Sequence, residues 1–351
     1  MGKTNLWTKL KSKPETLPLV ALGLLLLFNL FFTRNFFKIE ILEGHFYGVI
    51  IDIIKRGAPL MFITLGMTLV IETGGTDISV GSIMAITGAV AATLIGGTVS
   101  GAIHTEANMP MVLAIIIALG IATLCGVFNG FFVAKLGIPS LIVTLTLQVA
   151  GRGIAELITS GFVRNVYYPP FAYFGTGWVL GLPFSIFVLA AVAVIIYLFT
   201  RKTAYGLYLE SAGCNSVAAR FAGVKVKGVV WTAFAVCGLM AGIAGLLATS
   251  EIRAAEASTL GLYIELDAIM ACIIGGNSMK GGRFTLAGSL IGALLVQTLT
   301  TTIYMKGIPS ETILVYKAIV LILACLLQTM DFTKIARRFR INKSDASGVT
   351  L

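Results

Sequence analysis

The sequence predicts an all-α polytopic membrane protein with about ten transmembrane helices, and three observations lead to this fold class. Hydrophobic residues make up 57% of the 351 residues and charged residues only 12%, whereas an average soluble protein has roughly 25% charged residues. The mean hydropathy is +0.94. Glycine, with 39 residues, is abundant, as expected where transmembrane helices pack closely through small side chains. A soluble globular domain, a disordered chain and a small disulfide-rich scaffold are therefore excluded.

Uncharged runs of about 20 residues recur along the chain, and this is the length that crosses a hydrocarbon layer of ~30 Å. Together they predict one transmembrane domain over residues 1–351, with polar tails at 1–15 and 331–351. The ten predicted spans are residues 16–33, 51–72, 78–97, 111–134, 138–159, 181–200, 228–250, 262–279, 284–305 and 311–330.

The Lys and Arg residues give these spans an orientation, because basic residues concentrate in cytoplasmic loops. With the N-terminus in the cytoplasm, 17 of the 26 Lys and Arg residues lie on the cytoplasmic side and 7 on the opposite side. We therefore expect both termini in the cytoplasm and an even number of spans. This asymmetry explains the formal net charge of +10, so nucleic acid is not expected as a partner.

Two segments on the opposite side of the membrane carry aromatic residues without being spans. Residues 35–57 mix apolar side chains with charged ones, which favours a helix lying at the membrane interface. Residues 164–177 hold two prolines and five aromatic residues, which favours an irregular loop. Either segment could anchor the chain at the interface or contact a ligand directly.

The longest polar interruption between spans is the predicted cytoplasmic loop 201–227. Within it, residues 210–222 favour a short amphipathic helix, flanked by Gly206 and Gly223, at which the chain can turn sharply. Such a helix could insert into a groove on another protein. Alternatively, the segment is simply a cytoplasmic loop whose basic residues follow the charge asymmetry of the membrane, with no binding role. The sequence leaves both interpretations open.

Three ordered motifs resemble the permease subunits of bacterial ATP-binding-cassette sugar importers, the group of the ribose, xylose and galactose permeases. The stretch GGTDISVGS within residues 56–90 and the Asn-Gly, Ile-Pro and Arg-Gly pattern within residues 126–161 are two of these motifs. GLYLESAGCNSVAARFAGV is similar to the coupling-loop motif of the family. The resemblance covers about residues 18–328, and the stretches RGAPL and IELDAI are most similar to galactofuranose permeases.

The resemblance implies a permease subunit that moves a pentose or hexose inward by alternating access, without chemistry on the sugar. It also implies four partners: an ATPase subunit that binds ATP and Mg²⁺, a periplasmic or lipid-anchored sugar-binding protein, a second permease copy in a homodimer or heterodimer, and the sugar. The chain itself lacks the phosphate-binding pattern GxxxxGK[ST]. The inner membrane is the implied location. The ATPase-coupling residues implied by the motif are Glu210, Ser211, Gly213, Asn215, Ala218, Ala219 and Gly223.

Polar residues within the predicted spans are candidates for a translocation path, because such groups are costly in a bilayer. Arg152 and Glu156 are four residues apart and so share a helix face, where they can pair. Asp77 and Ser79 lie in a glycine-rich junction, which is typical either of a helix cap or of a discontinuous helix on a transport path. The uncharged polar residues within the spans have an alternative role, which is to form hydrogen bonds between helices. The candidates are Asp77, Ser79, Asn129, Thr144, Gln148, Arg152, Glu156 and Gln297.

An ion-coupled secondary transporter is the main alternative function, since buried carboxylates such as Glu72, Asp77 and Glu156 could carry protons or sodium ions. Glu265 and Asp267, near the outer end of the eighth span, are instead expected to be solvated. A membrane-embedded enzyme would need convergent catalytic groups, and the two histidines fall in no such motif. No catalytic residue, metal or cofactor is therefore predicted in this chain. A passive channel would need a filter motif or a charged ring, which the sequence does not show.

Overall fold

The computed structural model describes residues 16–96 and 107–329, and the predicted tails 1–15 and 331–351 lie outside these ranges. The chain divides into two compact units, one up to Lys306 and one from Gly307 onward. The second unit contains one described helix, and the remaining described helices and strands belong to the first unit.

The described helices vary from 6 to 27 residues in length. In the first unit they are α1 (Thr16–Phe32), α2 (Val49–Glu72), α3 (Val80–Ile95), α4 (Met111–Ala134), α5 (Ser140–Thr159), α6 (Pro169–Thr176), α7 (Phe184–Arg201), α8 (Ala204–Cys214), α9 (Ser216–Phe221), α10 (Val226–Ile252), α11 (Ile264–Ile274) and α12 (Leu286–Met305). The helix of the second unit is α13 (Ser310–Thr329).

The described strands are short and form three antiparallel pairs. These are β1 (Ile39–Leu42) with β2 (His45–Gly48), β3 (Arg164–Asn165) with β6 (Ala254–Ala255), and β4 (Trp178–Val179) with β5 (Leu182–Pro183).

Each predicted span contains a helix, and the all-α membrane class is confirmed. α4 has the predicted bounds, and the helices of the other predicted spans differ from the prediction by no more than about three residues at either end, apart from α11. Within the described residues, five helices have the length and apolar composition to cross a membrane, namely α4, α5, α7, α10 and α12. The count of ten spans is compatible with this finding and stays a prediction.

Helices α2 and α10 form the centre of the first unit. Every residue of α2 from Gly57 to Glu72 is buried, and this helix contacts α7, α10, α11 and α12. α10 also packs against α3 and α4. Fewer than a third of the residues of α4, α5 and α7 are buried, as expected of apolar helices at a lipid-facing rim.

Small residues allow α4 and α10 to approach closely, which is how transmembrane helices gain packing contacts in the absence of a hydrophobic driving force. A β-carbon at Gly126 of α4 would lie 2.3 Å from the carbonyl oxygen of Phe234. A β-carbon at Gly238 of α10 would lie 2.6 Å from the carbonyl oxygen of Ala122. The two glycines therefore set the distance between these helices.

The prediction of an interfacial helix over residues 35–57 is wrong, because β1 and β2 form a hairpin there and α2 begins directly after it. Glu43 and Gly44, the turn residues, both have positive φ, +52° and +79°, as a type I′ hairpin turn requires. The strand sequence IEIL alternates apolar and charged residues at its start, and a period of two is typical of a strand rather than a helix.

The prediction of an irregular loop over residues 164–177 is also wrong in part, because this segment contains β3 and the helix α6. Pro169 and Pro170 stand at the first two positions of α6. Proline is tolerated there because the first N–H groups of a helix have no partner within the helix. The two prolines that suggested a loop therefore mark the start of a helix.

Replacing Gly126 by Val is expected to lower the thermal unfolding midpoint of the purified protein, because the new side chain would overlap α10 and overpacking costs about 1–3 kcal/mol. Gly120→Val on the same helix is the matched control, since no atom lies within 4 Å of a β-carbon at Gly120. Differential scanning fluorimetry in detergent measures both midpoints. Equal midpoints for the two variants would contradict the close contact between α4 and α10.

Candidate coupling and translocation sites

The predicted single helix over residues 210–222 is wrong, because the loop 201–227 contains two helices, α8 and α9, that meet at Asn215. Oδ1 of Asn215 accepts hydrogen bonds from the backbone N–H groups of Val217 and Ala218, each at 3.0 Å. Asn is a strongly preferred N-cap residue because its short side chain reaches these otherwise unpaired donors. One residue therefore ends α8 and starts α9.

The pair α8–α9 exposes large apolar side chains. Phe221 is 90% exposed and Val217 is 59% exposed, which is typical of a surface that binds another protein. The predicted coupling residues lie on or directly beside this pair. Glu210, Ser211 and Gly213 belong to α8, Asn215 links the two helices, Ala218 and Ala219 belong to α9, and Gly223 follows it.

The carbonyl oxygen of Glu72, at the end of α2, is where α8 meets a central span. The backbone N–H of Gly282 donates a hydrogen bond to this oxygen at 3.2 Å. A β-carbon at Gly213 would lie 2.0 Å from the same oxygen, and one at Gly281 would lie 2.4 Å from it. Only glycine fits at positions 213 and 281 beside this oxygen. We call this backbone contact, formed by Glu72, Gly213, Gly281 and Gly282, the span–loop contact.

Arg201, the last residue of α7, connects this region to two further segments. Its Nη1 atom lies 3.2 Å from Oε1 of Glu210, and its Nη2 atom donates to the carbonyl oxygen of Phe284 at 3.2 Å. The guanidinium also lies 4.9 Å from the centroid of the Phe284 ring, within the range of a cation–π contact. α8 is therefore joined to α7 and to the chain that leads into α12.

Tyr205 joins α8 to α10. Its hydroxyl donates to the carbonyl oxygen of Val229 at 3.3 Å and accepts a hydrogen bond from Thr232 Oγ1 at 3.1 Å. Burial raises the pKa of Tyr205 to about 12. The hydroxyl therefore stays protonated at neutral pH and keeps its donor role.

Asp77, Ser79 and Asn129 form one buried cluster at the start of α3. Oδ1 of Asp77 accepts hydrogen bonds from the backbone N and the Oγ of Ser79, at 3.0 and 2.6 Å, and Nδ2 of Asn129 donates to Ser79 Oγ at 2.8 Å. The side chain of Ser79 accepts no capping bond at the start of α3, so Asp77 satisfies a backbone donor there and Ser79 does not. These bonds fix the start of α3 against α4.

The eighth predicted span, residues 262–279, is helical only over the 11 residues of α11, and non-helical chain over residues 256–263 precedes it. This segment runs beside α3, because a β-carbon at Gly88 would contact the side chain of Leu260 and one at Gly81 would contact the carbonyl oxygen of Gly261. Gly81 and Gly88 belong to the predicted span 78–97, so this contact places the segment at membrane depth, although most of it precedes the predicted eighth span. Non-helical backbone at that depth needs partners outside a helix.

Arg152 supplies two of these partners from α5. Its Nη1 atom donates to the carbonyl oxygens of Ala257 and Leu260, at 2.8 and 2.7 Å. The predicted ion pair of Arg152 with Glu156 is wrong, since the described ion pairs do not include it and Glu156 is exposed. Leaving buried carbonyls unpaired costs about 1–3 kcal/mol, whereas an exposed pair contributes about 1 kcal/mol or less.

Gln148 and Glu265 complete a polar cluster with Arg152. Nε2 of Gln148 donates to Oε1 of Glu265 at 3.2 Å. The expectation that Glu265 is solvated is wrong, because the residue is only 5% exposed. It lies in the first turn of α11, directly after the non-helical segment, and faces Gly81. We call Gln148, Arg152 and Glu265 the intramembrane polar cluster.

Among the described residues, the other path candidates make no hydrogen bond to these two clusters. Thr144 is buried and donates to the carbonyl oxygen of Ser140 in its own helix at 2.9 Å. Gln297 lies on α12, where a β-carbon at Gly57 would contact its side chain. Glu265 is assigned to solvent from the sequence and is therefore not among the path candidates; the signal for its burial was an acidic residue one turn after Gly261 within an apolar run.

A protein-family profile described as the permease component of a branched-chain amino acid transport system matches residues 49–325. The chain belongs to this permease family. The matched region runs from the start of α2 into α13 and contains every candidate residue named above. No solved structure matches the chain significantly.

Individual relatives match over nearly the whole chain. The galactofuranose transporter permease protein YtfT of Escherichia coli K12 is 41% identical over 93% of this chain and 93% of its own length. The fructose import permease protein FruF of Bifidobacterium longum is 34% identical over 98% and 97% of the two chains. The ribose import permease protein RbsC of Haemophilus influenzae is 34% identical over 84% and 90%.

These matches confirm the resemblance to permease subunits of ATP-binding-cassette importers, in which a separate subunit hydrolyses ATP. They also confirm a multi-pass membrane protein. The alternative of an ion-coupled secondary transporter is not supported.

Replacing Arg201 by Ala is expected to increase amide hydrogen exchange in α8 by roughly fivefold, because the loss of these exposed polar contacts costs about 1 kcal/mol. Lys202→Ala is the control, since Lys202 is the neighbouring exposed cation and makes none of the Arg201 contacts. Hydrogen–deuterium exchange mass spectrometry measures the effect. Unchanged exchange in Arg201→Ala would show that Arg201 does not hold α8 in place.

Proposed function

We propose that this permease imports a monosaccharide through the bacterial inner membrane, driven by ATP hydrolysis in a partner subunit. The observation that carries the proposal is the contact of the exposed α8–α9 pair with the end of α2. Movement of a protein bound to α8–α9 would act directly on a central span, because α8 and Glu72 are separated by no side chain.

The sugar class is supported by the names of the relatives, which specify galactofuranose, fructose and ribose. All three are uncharged and carry several hydroxyl groups. Galactofuranose is the first candidate for this chain, since that relative is 41% identical to it. The substrate would be handed over by a periplasmic or lipid-anchored binding protein on the side of the membrane opposite α8–α9.

The loop 201–227 and both termini are proposed to be cytoplasmic, in agreement with the distribution of Lys and Arg residues. The ATPase subunit, which binds ATP and Mg²⁺, would bind the α8–α9 pair. A second permease copy, identical or similar, would complete the transport unit. The chain acts here as one transmembrane permease domain without catalytic residues, metal or cofactor of its own.

The proposed mechanism is alternating access. ATP binding and hydrolysis would move α8–α9, and the span–loop contact would pass this movement to α2 and to the chain leading into α12. Because α2 is buried against four other helices, its displacement changes the packing of the whole centre.

The translocation path is proposed to include the polar residues that the sequence identifies within the spans. Gln148 and Arg152 are the best placed, since Arg152 bonds the non-helical segment 256–263 and Gln148 bonds Glu265 directly after it. Asp77, Ser79 and Asn129 would support the path by fixing the start of α3. The other candidates are Thr144, Glu156 and Gln297.

Replacing Phe221 by Ala is expected to weaken binding of the ATPase subunit at least about tenfold, because exposed aromatic side chains are frequent anchors of interfaces, with losses of roughly 2 kcal/mol or more on truncation. Phe162→Ala is the matched control, since Phe162 is an exposed phenylalanine that follows the C-terminal end of α5 and lies outside the α8–α9 pair. Biolayer interferometry with permease in nanodiscs measures both affinities. Equal affinities would remove α9 from the proposed interface.

Replacing Asn215 by Ala is expected to reduce ATP-driven sugar uptake, because loss of the N-cap costs about 1 kcal/mol and frees α9. Asn215→Ser is the rescue variant, since Ser caps a helix about as well as Asn. Uptake per ATP hydrolysed, measured in proteoliposomes, should fall in Asn215→Ala and stay near the unmodified value in Asn215→Ser. A loss of the same size in both variants would contradict a role for the cap.

A further inference from the structure

Three polar atoms of the intramembrane polar cluster have no hydrogen-bond partner among the described residues. They are Oε1 of Gln148, Nη2 of Arg152 and Oε2 of Glu265, and each is itself shielded from solvent in this chain. Buried polar atoms are almost always hydrogen-bonded, so each exception needs an explanation. Gln148 is hydrogen-bonded to Glu265, and Arg152 lies one helical turn from Gln148 on α5. Three exceptions in these neighbouring side chains point to a ligand that supplies the missing partners.

The position of the cluster is consistent with a transport path. Gln148 and Arg152 project from α5, and Glu265 opens α11 directly after the non-helical segment 256–263. Leu262 and Tyr263 of this segment are exposed, at 47% and 46%. Non-helical backbone does not face lipid within the hydrocarbon layer, and is tolerated only against protein or a water-filled cavity. The exposed side of the segment therefore faces an aqueous path or another protein chain.

The chemistry of the free atoms suits an uncharged polyol. Oε1 of Gln148 and Oε2 of Glu265 accept hydrogen bonds, whereas Nη2 of Arg152 donates one. A sugar hydroxyl donates one hydrogen bond and accepts others, so neighbouring hydroxyls can satisfy two acceptors and one donor together. Oε1 of Glu265 already accepts a hydrogen bond from Gln148. This bond holds the free oxygen, Oε2, in a fixed position.

We propose that Glu265, together with Gln148 and Arg152, forms an intramembrane binding station for the hydroxyl groups of the transported sugar. The proposal rests on the proposed function as a sugar importer. Glu265 accepts a hydrogen bond from one hydroxyl, and Arg152 donates to a neighbouring one while its other nitrogen keeps the non-helical segment in place. Glu265 is thereby a residue that determines which hydroxyl pattern passes.

The experiment measures ATP-driven uptake of monodeoxy sugars in proteoliposomes that contain the permease, its ATPase and its binding protein. The probes are tritiated D-galactose, D-fructose and D-ribose, followed by the monodeoxy analogues of whichever sugar the unmodified complex transports. The quantity compared is the ratio of uptake of each analogue to that of the parent sugar, because this ratio does not depend on the amount of folded protein. Glu265→Gln is compared with Glu43→Gln, the same change at an exposed carboxylate in the hairpin turn.

The unmodified complex is expected to transport at least one analogue about tenfold less well than the parent sugar, as the loss of one hydrogen bond to a charged group allows. Glu265→Gln should lose this discrimination at that hydroxyl and keep it at the others, whereas Glu43→Gln should keep the full profile. If Glu265→Gln abolishes transport, Gln148→Met tests the same cluster and should alter the same ratio.

An unchanged profile in Glu265→Gln, or in Gln148→Met where Glu265→Gln is inactive, would overturn the binding station and leave the importer function standing. A complex that shows no discrimination between the analogues would overturn it equally. Absence of ATP-driven uptake of every parent sugar would instead overturn the proposed function.

Discussion

The structure depends on one constraint, which is that backbone polar groups within a hydrocarbon layer must be hydrogen-bonded inside the protein. Helices satisfy this constraint by themselves, and small residues then let them pack closely, as Gly126 and Gly238 do. The segment 256–263 does not form a helix and must find other donors. Arg152 provides two of them, at Ala257 and Leu260, so a charged side chain at membrane depth is explained by the backbone that it stabilises.

The link between the loop 201–227 and the spans also depends on residues that have no side chain. At the span–loop contact, three glycines approach one carbonyl oxygen of Glu72, and the contact is backbone against backbone. Such a contact has little freedom to absorb movement by rotating side chains. Arg201 and Tyr205 add polar bonds from α8 to α7, α10 and the chain before α12. A displacement of α8 is therefore transmitted to several spans at once.

Much of the fold was accessible from the sequence, because long apolar runs leave little choice of structure; α4 begins and ends where the pattern predicts. The errors fall where local chemistry competes with periodicity. The hairpin was hidden by its high content of apolar residues, and the break at Asn215 by helical residues on both sides of it. Glu265 and the partners of Arg152 depend on contacts between residues more than 100 positions apart, which no local pattern reveals.

The most direct test of the account is the energy source of transport. Uptake of tritiated D-galactose, D-fructose and D-ribose would be measured in proteoliposomes with the ATPase and binding protein, and in vesicles holding the permease alone under a proton or sodium gradient. The account predicts uptake of at least one sugar only in the complete complex, and only when ATP is present on the side of the membrane that holds the ATPase subunit. Uptake by the permease alone that follows an ion gradient would contradict it.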